Sequence, residues 1–138
     1  MTMTYNLFIS HSWSYESQYH GLIRLLESKP SFHFRNYSVP KDDPIHNASN
    51  DRKLREAIKI QMKPCSVILI LAGIYSTYSK WINEEIDLAE KGFLMPKPII
   101  AVEYWGSEKT SRPVKDAAQE VVKWNSQSMI DAIRRVVK

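Results

Sequence analysis

A chain of 138 residues that is 43% hydrophobic and 25% charged has the size and composition of one folded domain, able to bury roughly two-thirds of its unfolded surface, so residues 1–138 are expected to form a single domain. Its one cysteine, Cys65, excludes an intrachain disulfide and any zinc site built on cysteine pairs. The formal charge of +4 comes from residues such as Arg52, Lys53, Arg55, Lys59, Lys63, Arg134, Arg135 and Lys138, which are interleaved with acids or spread around helices, a pattern that argues against a nucleic-acid partner and suits an anionic nucleotide.

Met1 to Tyr5 lacks a basic segment followed by an apolar one, so no secretory leader is expected and a cytoplasmic location is. Tyr5 to Ser10 reads as strand one, and Ser12 or Ser14 can cap a helix carrying Tyr19, Leu22, Ile23, Leu25 and Leu26. After the break at Ser28–Ser31, Phe32, Phe34 and Tyr37 alternate with polar residues as in an edge strand. Ser38 to Asn50, rich in Pro, Asp and Asn, reads as a long loop. Asn50 or Asp51 then starts a helix with Leu54, Ile58 and Met62 on one face, ending at Pro64.

Ser66 to Ala72 is apolar throughout its interior, as in a central strand covered on both faces. Its apolar run is far shorter than the roughly 20 residues of a membrane-spanning helix, so no membrane partner is expected. Cys65, just before it, reads as a buried structural thiol. Ser79 can cap a helix over Lys80–Phe93 with Trp81, Ile82, Ile86, Ala89 and Phe93 toward the core. Pro98–Val102 is strand four, Pro113 opens a short helix, Val121–Trp124 is strand five, and Ser126–Val137 is an amphipathic helix.

This alternation predicts an α/β, flavodoxin-like three-layer sandwich with a five-stranded parallel sheet of order 2-1-3-4-5. In such sheets ligands bind beyond the carboxyl ends of the strands, where the segments after Ser10, Tyr37, Ala72 and Val102 would gather.

Several chemistries fall away. With four glycines, neither a phosphate-cradling loop nor a dinucleotide fingerprint can be built after strand one. A phosphate-accepting receiver domain needs an acidic pair after strand one and an aspartate ending strand three, whereas the chain has Ser10-His11-Ser12 and Ala72-Gly73 there. His11, His20, His33 and His46 do not recur at metal-ligand spacing, so no metal site is expected. No nucleophile elbow surrounds Ser10.

Trp81 and Glu85 lie one helical turn apart, in the helix after the central strand and near the ligand end of the sheet. A carboxylate beside an indole there can meet a sugar and a flat ring. The same spacing also fits an amphipathic helix with Trp81 in the core, Glu85 in solvent, and Glu84, Asp87 and Glu90 on other faces.

Phe8-Ile9-Ser10-His11-Ser12 ending strand one, the proline-containing loop after strand two, and Ser79-x-Trp81-x-x-x-Glu85-Ile86 resemble the matching elements of TIR domains. The best match is the bacterial TIR-like family that includes the signalling subunit of Thoeris anti-phage systems, and it extends over essentially the whole chain in element order. The resemblance implies an enzyme that cleaves the nicotinamide–ribose bond of NAD, its substrate, with no further cofactor; the catalytic glutamate falls on Glu85 and the neighbouring tryptophan on Trp81. It also implies a cyclised ADP-ribose product that signals to a separate effector protein. Ser10, His11 and Ser12 are then candidate donors to ribose or phosphate, and Trp13, Tyr37, Tyr75 and Tyr78 candidate aromatic walls. Many NAD-cleaving relatives carry an arginine shortly after the strand-one serine; this chain has His11, Ser12 and Trp13 there, so either pyrophosphate binding comes from elsewhere, with Arg35 and Lys41 as candidates, or activity is weak. Two other readings stay open: a non-catalytic adaptor that self-associates through Ser38–Asn50, and a nucleotide sensor without turnover.

Overall fold

The computed structural model describes residues 3–10, 16–37, 51–71, 80–103 and 112–137, without the side chains of residues 16–18, 51, 54, 80–81 and 112–113. The expected loop over 38–50 and the expected cap at Ser79 lie outside the described residues. In chain order the elements are β1 (Thr4–Ser10), α1 (Glu16–Glu27), β2 (His33–Asn36), α2 (Asp51–Met62), β3 (Val67–Leu71), α3 (Lys80–Lys91), β4 (Ile99–Val102), α4 (Arg112–Ala117), β5 (Glu120–Val122) and α5 (Ser126–Val136). Every strand pair is parallel, and the sheet runs β2-β1-β3-β4-β5.

Alternation along the strands divides the apolar residues between two cores. Leu7, Ile9, Val67, Leu69, Leu71, Ile100 and Val102 pack with Leu22 and Leu26 of α1 and Met129, Ile130 and Ile133 of α5. Phe8, Ile68, Ile70, Ile99 and Ala101 face the other way, onto Ile58 and Met62 of α2, Ile82, Ile86 and Ala89 of α3, and Val114 of α4. All five residues of β3 are buried, as its unbroken apolar run requires of a strand covered on both faces. Each large aliphatic side chain removed from water contributes about 1.5–3 kcal/mol, so this layer dominates the stability.

Several ends differ from the sequence expectation for local reasons. β2 stops at Asn36, yet the Tyr37 amide still donates to the Leu7 carbonyl at 2.8 Å, extending the ladder by one bond. Phe32 precedes the strand because its amide closes a turn onto the Lys29 carbonyl at 3.0 Å. β5 spans Glu120–Val122, not 121–124: the Asn125 amide turns back onto the Lys123 carbonyl, and the Asn125 side chain caps α5 by accepting from the Ser128 amide. α3 ends at Lys91, two residues short of Phe93.

At that end a β-carbon on Gly92 would sit 2.7 Å from both the Leu88 carbonyl oxygen and Leu88 Cδ2. The oxygen belongs to the helix backbone and cannot simply swing aside. Gly92→Ala is therefore expected to cost about 1–3 kcal/mol, read as a lower urea midpoint with an unchanged slope.

Below the sheet's amino edge, Lys97 Nζ donates to the carbonyls of Lys63 (3.1 Å) and Cys65 (2.7 Å) and lies 4.5 Å over the Phe93 ring. This stitches the entry to β4 onto the entry to β3. Burial pushes the Cys65 thiol up to about 12, the Lys97 charge opposing it, and Cys65 Sγ donates weakly to the Gln61 carbonyl. Because the thiolate is the nucleophile, folded protein is expected to resist iodoacetamide at pH 8 and to take up one equivalent in denaturant, as mass spectrometry would report. Among the described residues, no helix is long and apolar enough to cross a membrane.

Candidate active site

The chain steps from β1 outward to β2 and then back to β3 on the other side of β1. The crevice between the carboxyl ends of β1 and β3 is thus the topological switch point where α/β sheets place ligands. Ser10 is the last residue of β1 and pairs in register with Ile70 of β3. Two residues beyond Phe8, it shares Phe8's face and so points toward α2 and α3. α3, which follows β3, returns antiparallel to the strand and begins at this same end.

On α3 the buried positions Ile82, Glu85, Ile86 and Ala89, with Leu88 beside them, follow helical spacing. Glu85 therefore occupies a core position, 4% exposed, which rules against the reading that leaves it in solvent. The other acids of the helix do face outward: Arg55 of α2 bridges to Glu84 at 3.0 Å and Asp87 at 2.7 Å, tying the two helices together.

Among the described residues, the buried polar side chains are Ser10, 2% exposed, and Glu85. Neither Ser10 Oγ nor Glu85 Oε2 has a hydrogen-bond partner. Burial raises the Glu85 carboxyl to about 8, and the Ser10 hydroxyl pulls the other way. The hydroxyl is thus near enough to act on the carboxyl without meeting hydrogen-bond geometry. At neutral pH Glu85 rests mostly as the neutral acid, since a desolvated carboxylate with no ion partner is the costlier form.

Tyr37, just past β2, is half-buried and packs on the core that Glu85 joins. The structure thus gathers Ser10, Tyr37 and Glu85 at one end of one face. Trp81 stands one turn before Glu85 on the α3 backbone, while its side chain and His11, Ser12, Trp13, Lys41, Tyr75 and Tyr78 lie outside the described residues. Arg35 is not brought to this level: it pairs with Asn6, four residues before Ser10, or roughly 13 Å back along the strand.

One carboxylate escaped the sequence reading. Glu103, directly after β4 at the same edge of the sheet, accepts from Lys115 at 2.8 Å and Lys123 at 2.7 Å. Lys115 first and Lys123 second hold its carboxyl below the ordinary range. Its position at a strand's carboxyl end was the available signal, but its partners neutralise it, unlike Glu85. The described grooves lie elsewhere, one beside β2 bordered by Phe32, His33 and Arg35, the other on α2 around Arg52, Glu56 and Ile60. Buried, unpaired polarity distinguishes the β1–α3 crevice and makes it the candidate site.

Residues 8–109 match the family model described as Thoeris protein ThsB, TIR-like domain. No curated protein matches.

Proposed function

The chain belongs to the TIR-like domain family of Thoeris protein ThsB, and from that membership we propose that it cleaves the nicotinamide–ribose bond of NAD, with Glu85 as the catalytic carboxylate. The observation that carries this reading is a single carboxyl buried at the switch point, with an oxygen that no described residue satisfies. A structural ion pair would have supplied that oxygen with a partner, as Arg55, Lys115 and Lys123 do for the other acids named above.

The chemistry follows from charge. The nicotinamide of NAD is a cationic pyridinium, and its entry beside Glu85 favours the ionised carboxylate, releasing the proton to solvent. As the glycosidic bond breaks, the bonding pair leaves with nicotinamide, which departs neutral without needing a proton. Positive charge then develops on the ribose. A carboxylate held in a water-poor crevice stabilises that oxocarbenium-like centre better than water does. Trp81 and Tyr37 supply aromatic walls, while Ser10, His11, Ser12 and Trp13 complete the substrate contacts in this reading. Attack by a nucleotide atom in place of water then cyclises the ADP-ribose, and the product signals to a separate effector in anti-phage defence.

The test is incubation of wild-type and Glu85→Gln protein with NAD, from cells with and without phage challenge, followed by chromatography and mass spectrometry. Nicotinamide and an ADP-ribose isomer from wild type alone support the enzyme. Equal nucleotide pools in both, with defence intact in the variant, would assign the chain to a self-associating adaptor.

A further inference from the structure

Among the described residues three buried side-chain oxygens lack hydrogen-bond partners: Asn6 Oδ1, Ser10 Oγ and Glu85 Oε2. Asn6 lies near the amino end of β1, where its Nδ2 donates to the Pro64 carbonyl at 3.0 Å. The other two share the opposite end and one face. Their coincidence is costly, since a buried polar group without a partner forfeits its hydration, and an alanine at position 10 would pack in the same strand without that cost.

We propose that Ser10 is a positioning residue for Glu85: its hydroxyl, fixed at the end of β1, closes a hydrogen bond onto the carboxylate when Glu85 ionises and thereby sets both the carboxylate's orientation and the pH at which it forms. This rests on the reading of Glu85 as the catalytic carboxylate and goes beyond the assignment of Ser10 to substrate contacts alone.

The geometry favours this division of labour. A serine hydroxyl can donate to either form of the carboxyl or accept from the neutral acid, but its bond to the carboxylate is the stronger, charge-assisted one. The surroundings provide no competing charge among the described residues. From β3 this face presents Ile68 and Ile70, from β1 Phe8, from the end of β2 Tyr37, and from α2 Ile58. Arg55 is engaged by Glu84 and Asp87, and Lys115 of α4 by Glu103. The Ser10 hydroxyl is the side-chain group that opposes the effect of burial on Glu85. Register makes the arrangement rigid, because Ser10 is locked to Ile70 by the β1–β3 ladder, and the strand end cannot follow α3 if the helix shifts.

The decisive experiment reads Glu85 directly. Protein labelled with ¹³C at the glutamate side-chain carboxyls is titrated by NMR, with Glu85→Gln assigning the resonance, in wild type and in Ser10→Ala, Ser10→Cys and Ser10→Thr. The wild-type midpoint is expected near 8. Ser10→Ala is expected to raise it by about one pH unit, and Ser10→Cys to move it the same way by less, because a thiol is a weaker donor. Ser10→Thr, which restores the hydroxyl, is expected to return it to the wild-type value. If Ser10→Ala does not fold, the contrast between Ser10→Cys and Ser10→Thr decides. An unmoved midpoint in every folded variant overturns the proposal, whatever the fate of NAD. A moved midpoint in a protein that leaves NAD intact supports the positioning role and overturns the enzymatic reading alone. With turnover present, kcat/KM at pH 7 is expected to fall about tenfold in Ser10→Ala, in proportion to the lost ionised fraction.

Discussion

Glu85→Gln is expected to abolish NAD cleavage while leaving the protein folded, and at pH 9 more stable than wild type. Removing the one group that stabilises the developing ribose cation is expected to cost about 10²–10³-fold in rate, or roughly 3–4 kcal/mol of transition-state stabilisation. Glutamine matches the shape of the neutral acid that already occupies the site below its midpoint near 8. The fold therefore loses little, and above that midpoint it is spared a buried, unpaired carboxylate. Product chromatography reads the first effect, and thermal denaturation at pH 7 and pH 9 the second. A variant that still releases nicotinamide at the wild-type rate would remove Glu85 from the chemistry; one that is inactive and also unfolded would reduce the burial argument to packing.

Stability and activity are expected to respond to pH in opposite directions. Glu85 has a folded-state midpoint of about 8 against 4.5 for an ordinary glutamate, so the folded protein binds the proton more tightly than the unfolded chain. Its contribution to stability is complete below about pH 4.5, is lost progressively up to about pH 8, and stays constant above that. The full loss is about 5 kcal/mol by linkage, or roughly 15–20 °C in Tm for a chain of this size.

Glu103 and Glu120 act at the other limb. Lysines lower the first and Arg135 the second, so their contributions are present above the ordinary carboxylate range and lost as pH falls below it. Tm is therefore expected to peak near pH 5 in wild type, and Glu85→Gln to remove the alkaline decline without touching the acid one. Meanwhile kcat/KM for NAD should rise about tenfold per pH unit up to about 8 and then level, because the free protein must ionise Glu85 to act. Parallel, rather than opposed, pH profiles would contradict the assignment of the titrating group.

Most of the architecture was legible because it depends on local signals. The unbroken run of β3 reads as a strand buried on both faces, the spacing of Ile82, Ile86 and Ala89 as a helix face, and the alternation of elements as a parallel sheet. Glu85 was legible as a candidate but not as a buried group. A lone carboxylate within an apolar stripe reads as solvated until the packing of α3 on the sheet is known. The relation of Ser10 to Glu85 was hidden for a further reason. It depends on strand register, since shifting β1 by one residue would turn Ser10 to the opposite face, and no local pattern specifies register between strands so far apart. Arg35 shows the converse: its charge suggested a phosphate contact, but register sets it well back from the strand end.

The order of strands also fixes an order in time. β1 leaves the ribosome first, yet Ser10 has its β3 neighbour only when Ile70 arrives, sixty residues later, and Glu85 follows after that. At translation rates of about 5–20 residues per second, the inner edge of β1, with Phe8 and Ile9, waits several seconds for β3, long after the nearer pairing with β2 becomes available. The half-sheet that exists in the interval carries a serine and no carboxyl. Glu85, on α3, thus meets Ser10 only after β3 is in place, and a chain that stops short of α3 carries one half of the buried pair without the other.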